Sequence, residues 1–190
     1  MKNRVCLLRL PASVDPRGVW DKAASTHTCK PIDETVQDQT FLDTFDWRLF
    51  NRNLVLLKDQ KRYHLYRLQD RETVASLSLP RGTEPVFSTD FPEGPLKKIL
   101  QTYLSVRALL PLAHARTRRQ TMRVLNRNEK TVVFASLEQS RLADGARTDE
   151  PFNTLVLRAV RGYEKHLRRL DRSLRDAGAQ SRTEDLFHAA

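Results

Sequence analysis

Cysteine is scarce: only Cys6 and Cys29 occur in 190 residues, and neither lies in a CxxC or Cys/His spacing. A zinc site or a redox pair is therefore not written into the sequence, and Cys6, inside an apolar run, reads as a small buried hydrophobe. Glycine is scarce too, with six residues and none in a GxGxxG or GxxxxGKS/T arrangement, so no glycine-rich phosphate loop is present. No run of about 18 apolar residues exists to span a membrane, and the apolar opening before Arg9 is too short for a secretory signal. A cytoplasmic protein with no membrane partner is expected. The histidines at 27, 64, 114, 166 and 188 are isolated, with no i,i+4 pair and no legible Ser/His/Asp constellation. Carboxylates occur as Asp43 and Asp46, Glu138, and the loop residues Asp144, Asp149 and Glu150, without an ExE or DxD pair on one strand face. Divalent magnesium or manganese needs several converging oxygen ligands, so no metal cofactor is expected, with Glu138 the one weak candidate.

Positive charge is what the chain has in excess. Thirty-three Lys and Arg stand against 23 Asp and Glu, for a formal charge of +10 and a pI near 10.1. Such a field attracts polyanions, including phosphate chains, nucleotides and nucleic acid, without selecting among them. The length suits a single domain with a buried core, and no internal repeat or low-complexity tract interrupts it.

The hydrophobic pattern is mostly that of short strands. A first strand is expected at Val5–Leu10, closed by Pro11, then a short helix after Asp15-Pro16 with Val19, Trp20 and Ala23 on its apolar face. Residues 26–37 are polar and read as irregular. Strands are expected near 39–45, 54–57, 63–68 and 73–79, with Asn51–Asn53 and Asp59–Lys61 supplying turns. The proline-rich stretch 80–95 reads as a loop. Leu96, Ile99, Leu100, Tyr103, Leu104 and Leu109 follow helical spacing. Strands at 119–125 and 131–137 flank the hairpin turn Asn126–Asn128, and another is expected at 152–160. Tyr163, Leu167, Leu170, Leu174 and Ala177 mark a helix with Gly178 at its C-terminal cap. The expectation is an α+β protein: an antiparallel β-barrel (a tunnel of about eight strands) with flanking helices and a C-terminal helix. Residues 1–178 would form the domain and 179–190 a polar tail.

Two basic clusters stand out. Residues 114–119 (HARTRR) with Arg123 place Arg116, Arg118, Arg119 and Arg123 in or beside one strand, where residues 119, 121 and 123 share a face. Guanidinium forks suit bidentate contact with phosphate oxygens; charge along a solvent-facing edge is the plainer reading. The second cluster, Arg158, Arg161, Lys165, His166, Arg168, Arg169, Arg172 and Arg175, is interleaved with Glu164, Asp171 and Asp176. It reads first as the solvated face of an amphipathic helix with Glu164–Arg168 and Asp171–Arg175 pairs.

Three segments carry a resemblance. Residues 41–49 (FLDTFDWRL) followed by 53–57 (NLVLL), residues 110–119 (LPLAHARTRR), and residues 160–165 (VRGYEK) are similar, in that order, to segments of the CYTH (triphosphate tunnel) family. The last resembles the "RGYEKEL" link of bacterial CYTH–CHAD proteins. The family implies an eight-stranded tunnel whose basic residues hold a triphosphate and whose glutamates bind Mg²⁺ or Mn²⁺. Its members hydrolyse inorganic or thiamine triphosphate, or cyclise ATP. Here the acidic opening ExExK motif would fall at Asn3, Val5 and Leu7, the strand arginines near Leu57 and Asp59, and a lysine near Leu68. The acidic strand before the "RGYEK" link reads Leu155–Arg158 without a glutamate. Lys58 and Arg67 would compensate beside Arg116, Arg118, Arg119 and Arg123. The resemblance thus implies a degenerate, pseudoenzyme-like member that binds triphosphate or polyphosphate, with a CHAD domain as a possible partner. A triphosphatase with relocated ligands at Asp43, Asp46 and Glu138, needing Mg or Mn, is the enzyme alternative. A nucleic-acid-binding or scaffold role of the basic surface is the third.

Overall fold

A computed structural model describes residues 4–11, 13–15, 18–21, 25, 27–60, 62–80, 82–143 and 152–181. The strands are β1 (Val5–Leu10), β2 (Thr28–Asp43), β3 (Leu54–Asp59), β4 (Arg62–Arg67), β5 (Thr73–Ser78), β6 (Leu110–Leu125), β7 (Thr131–Leu142), β8 (Phe152–Ala159) and β9 (Gln180–Ser181). Two longer helices join them, α1 (Pro95–Leu104) and α2 (Glu164–Asp176). Hydrogen bonding orders the strands β5-β4-β3-β2-β6-β7-β8-β1-β9 in one sheet, and the pairings β1–β8, β1–β9, β2–β3, β3–β4, β4–β5 and β7–β8 are antiparallel. This is the α+β, sheet-dominated class expected, with β9 as an additional strand at the start of the expected polar tail.

Two differences from the sequence reading have a local cause. Residues 28–36, expected to be irregular because they are polar, belong to the sixteen-residue strand β2. Most of them are exposed, so the apolar alternation that reveals a strand is missing there. Glu138 lies inside β7, which runs five residues past the expected end at 137. Val19 and Trp20 are buried in the helical residues 18–21, while Pro16 and Ala23 lie outside the described residues.

The described chain divides into two compact units. The first takes residues 4–36, 117–141 and 152–181; the second takes 37–116 and 142–143. In the first, Leu8 and Leu10 of β1, Val133, Ala135 and Leu137 of β7, and Leu155 and Leu157 of β8 pack with Leu167, Leu170 and Leu174 of α2. The 3.6-residue period puts those three leucines on one helical stripe. The helix ends as expected: Gly178 takes φ +99°, and the amides of Gly178 and Ala179 donate to the carbonyls of Arg175 and Leu174. Asp171 makes the expected pair with Arg175 at 2.8 Å, whereas Glu164 pairs with Arg4. Cys6 also belongs to this helix contact. Its thiol donates to Asp171 at 3.1 Å, and burial followed by that bond pushes it up to about 12.

In the second unit, Leu42, Leu54, Leu56, Tyr63, Leu65 and Ala75 pack with Phe91 and with Leu96, Leu100 and Leu104 of α1. The turn after β2 is organised by Asp43, which is 1% exposed. Its carboxylate accepts from the amides of Thr44 (2.7 Å), Leu49 (3.0 Å) and Phe50 (2.9 Å). Thr44 in turn donates to Asp46 at 2.6 Å, and this bond, ahead of the one from Arg48, holds Asp46 below the usual carboxylate range. Among the described residues no helix is long and apolar enough to cross a membrane.

Because Asp43 is buried and its carboxylate accepts from three backbone amides of the turn, Asp43→Ala is expected to lower stability by about 3 kcal/mol. Urea unfolding should show a lower midpoint at unchanged m; a loss below about 1 kcal/mol would contradict this role.

Candidate functional site

Cross-strand partners in an antiparallel sheet share a face, so burial of one face against α2 fixes what stands on the other. In the first unit, Leu8, Leu10, Leu155 and Leu157 face α2. The residues between them, Val5, Leu7 and Arg9 on β1 and Thr154, Val156 and Arg158 on β8, therefore occupy the opposite face. The β7–β8 register adds Phe134 opposite Arg158, Ser136 opposite Val156 and Glu138 opposite Thr154. On β6 the side chains step alongside: Thr117 bonds Ser140 (2.8 Å), Arg119 bonds Glu138 (3.0 Å) and Thr121 bonds Ser136 (3.4 Å). Arg123 follows Thr121 by one more strand period.

The result is a polar face built of rows. One row reads Arg119, Glu138, Thr154, Arg9; two steps along lies Arg123, Phe134, Arg158, Val5. Among the described residues of β1, β6, β7 and β8, four guanidinium groups share it with one carboxylate. The Glu138 side chain is 8% exposed and Arg119, its partner, 38%. Arg9 lies over the Phe152 ring at 5.0 Å, which holds its long side chain in place. Thr121, Ser136 and Thr154 add hydroxyl donors between the charges, interspersed with the apolar Leu7, Val156 and Phe134.

The expected phosphate ligands do not all converge here. Arg119 and Arg123 stand on this face. Arg118 stands on the other side of β6; there Gln120 and then Arg118 bond Glu34, at 2.9 and 2.7 Å, and hold that carboxylate below its usual range. Arg116, Lys58 and Arg67 belong to the second unit. Arg116 is 73% exposed and 4.0 Å from Asp38. Lys58 pairs with Glu84, and Arg67 with Asp70 and Glu72. Lys58 and Arg67 lie opposite Tyr63 and Leu54, on the face that packs against α1. On the reverse face of those strands, Phe41, Val55 and Leu57 are buried and Asp59 lies 3.3 Å from His64.

Sequence reasoning missed Arg9 and assigned Arg158 to the basic run of the last helix. The signal for both was strand parity. The acidic opening motif was placed at Asn3, Val5 and Leu7, whereas the polar-face trio of β1 is Val5, Leu7 and Arg9; Asn3 lies outside the described residues.

Comparison with solved structures places the fold among adenylate-cyclase-type chains. A proposed adenylyl cyclase from Hippeastrum, HpAC1, described as having a dominant triphosphatase activity, superposes with a TM-score of 0.64 at 13% identity, covering 97% of this chain and 92% of that one. A proposed adenylate cyclase from Bacillus halodurans gives 0.61 at 13% identity, covering 97% and 95%. One from Vibrio parahaemolyticus gives 0.51 at 10%, covering 100% and 98%. At these identities the likeness establishes a shared fold, not an activity, and it agrees with the architecture that the CYTH resemblance implied. No protein-family model and no curated protein matches the chain.

The divalent metal that this fold family implies does not fit the donors among the described residues; Asp144, Asp149 and Glu150 lie outside them. Magnesium or manganese asks for several hard oxygen ligands, and the described residues of β1, β6, β7 and β8 supply one carboxylate on this face, which Arg119 already holds. The neighbouring positions are Val5, Leu7, Thr154 and Val156, with Arg9 and Arg158 adding positive charge. Among the described residues no three of His, Cys, Asp and Glu converge. Asp43 and Asp46 are engaged in the turn after β2.

Arg119→Ala would remove the guanidinium partner of the buried Glu138 carboxylate and is expected to lower stability by about 1–3 kcal/mol. A double-mutant cycle with Glu138→Ala, followed by urea unfolding, should give a coupling above about 0.5 kcal/mol. Additive losses would show that the pair is not an energetic unit.

Proposed function

We propose that the polar face of the first unit binds a linear phosphate chain, triphosphate or longer polyphosphate, and that the chain does not hydrolyse it by a metal-dependent route. The observation that carries this reading is the ratio of groups that the described residues of β1, β6, β7 and β8 place on that face: Arg9, Arg119, Arg123 and Arg158 against the guanidinium-bound Glu138. Guanidinium groups bind phosphate oxygens through charge-assisted, often bidentate hydrogen bonds. Their placement also suits an extended ligand. Arg119 and Arg123 are four residues apart on one strand, about 13 Å, and Arg9 and Arg158 repeat that separation two to three strands away. A single phosphate cannot span these rows; a chain of phosphates can.

Hydrolysis would need what this face lacks. Phosphoryl transfer rests on positioning together with neutralisation of charge by metal ions. The arginines supply the first and part of the second. Glu138, hydrogen-bonded to Arg119, is not free to collect a cation or to activate water. Binding without turnover is the consistent outcome, and a CHAD-type polyphosphate partner or scaffold belongs to the same reading.

Calorimetric titration of tripolyphosphate at low salt is expected to show binding that weakens as salt rises, since part of the attraction is screened Coulombic. Arg9→Ala together with Arg123→Ala should weaken it about tenfold or more, because each lost charge-assisted bond is worth about 1.5–3 kcal/mol. Unchanged affinity in that variant would sink the proposal. Equal preference for DNA or RNA would point instead to the basic residues of α2 as a nucleic-acid surface.

A further inference from the structure

A second feature of the first unit belongs to none of this. A cavity of about 320 Å³ is lined by two histidines, His27 and His166, two arginines, Arg127 and Arg169, and by Thr28 and Asn126. Its volume falls at the lower end of the range for small-ligand sites, about 300–1,000 Å³. None of its four basic residues stands on the polar face, and among the described residues no carboxylate lines it.

The local chemistry points one way. The two imidazole rings meet edge to face with centroids 5.9 Å apart. The buried Nδ1 of His166 has no hydrogen-bond partner among the described residues, which is uncommon for a buried polar atom. Arg127 follows β6 in the hairpin turn, and Arg169 lies one helical turn beyond His166 on α2; both are exposed. Asn126 keeps its amide nitrogen available, because its side-chain oxygen already accepts from the amides of Asn128 and Lys130. Donors of one charge sign thus surround an open space.

We propose that this cavity is a site for a small free oxyanion with the size and charge of phosphate, bound by Arg127 and Arg169 with His27 and His166 beneath it. A cation is disfavoured by the same two arginines. Burial first, then the charges of His166 and Arg169, lower the pKa of His27. An anion placed among these groups, with Arg127 facing it from the turn, offsets that repulsion and favours the protonated ring. Anion affinity therefore rises as pH falls.

The test follows the His27 and His166 ring resonances of the full chain by NMR during titration with inorganic phosphate and with sulfate. Both rings should shift along one saturating curve. Arg127→Ala with Arg169→Ala should weaken it about tenfold or more, and because both side chains are exposed, circular dichroism should show an intact fold. Sulfate, a dianion throughout, should bind more tightly at pH 6 than at pH 8. Rings unmoved at saturation, affinity unchanged in the double variant, or pH-independent sulfate binding would each overturn the site. So would Zn²⁺ engaging the two rings where phosphate does not.

Discussion

Strand parity is the constraint from which the rest follows. Leucine and valine on β1, β7 and β8 must leave water, and α2 is where they go. Once one face is committed to that helix, every alternate residue is fixed on the other, and a slip of one residue would exchange the two sets. Four arginines and one glutamate are thereby held on one face by a hydrophobic decision made on the reverse. The Arg119–Glu138 contact at 3.0 Å is the point where those two sets of forces meet. A carboxylate buried at that depth must be paired or hydrogen-bonded, and the Arg119 guanidinium donates to it.

This constraint also separates fold from chemistry. The likeness to adenylate-cyclase-type structures covers nearly the whole chain at 10–13% identity. An apolar face needs only residues that are hydrophobic and of suitable size, so it tolerates that divergence. The opposite face carries no such restriction, and here valine, leucine, threonine and arginine stand at its positions on β1 and β8. Among the described residues of β1, β6, β7 and β8, that face carries four guanidinium groups and one guanidinium-bound carboxylate.

Much of this was legible in the sequence where periodicity was clean. The stripe Leu167, Leu170, Leu174 with Gly178 after it defined the last helix, and Asn126–Asn128 defined the hairpin turn. The solvated half of β2 was not legible, because a strand exposed over most of its length shows no alternation. Arg119 and Arg123 could be placed on one face by counting within a single strand. Arg9 and Arg158 could not be added to them, since cross-strand register depends on pairings between residues about 150 apart, such as Val5 with Arg158. Asp43 and Asp46 looked like spare carboxylates until the backbone amides and hydroxyl that they accept from were visible.

The central claim is that the polar face holds a phosphate chain without cleaving it. Phosphorus NMR of tripolyphosphate incubated with the protein and Mg²⁺ reads both halves at once. The account predicts resonances broadened and shifted by binding, with no growth of the orthophosphate signal over hours. Steady release of orthophosphate, lost when Glu138 is replaced by Gln, would contradict it.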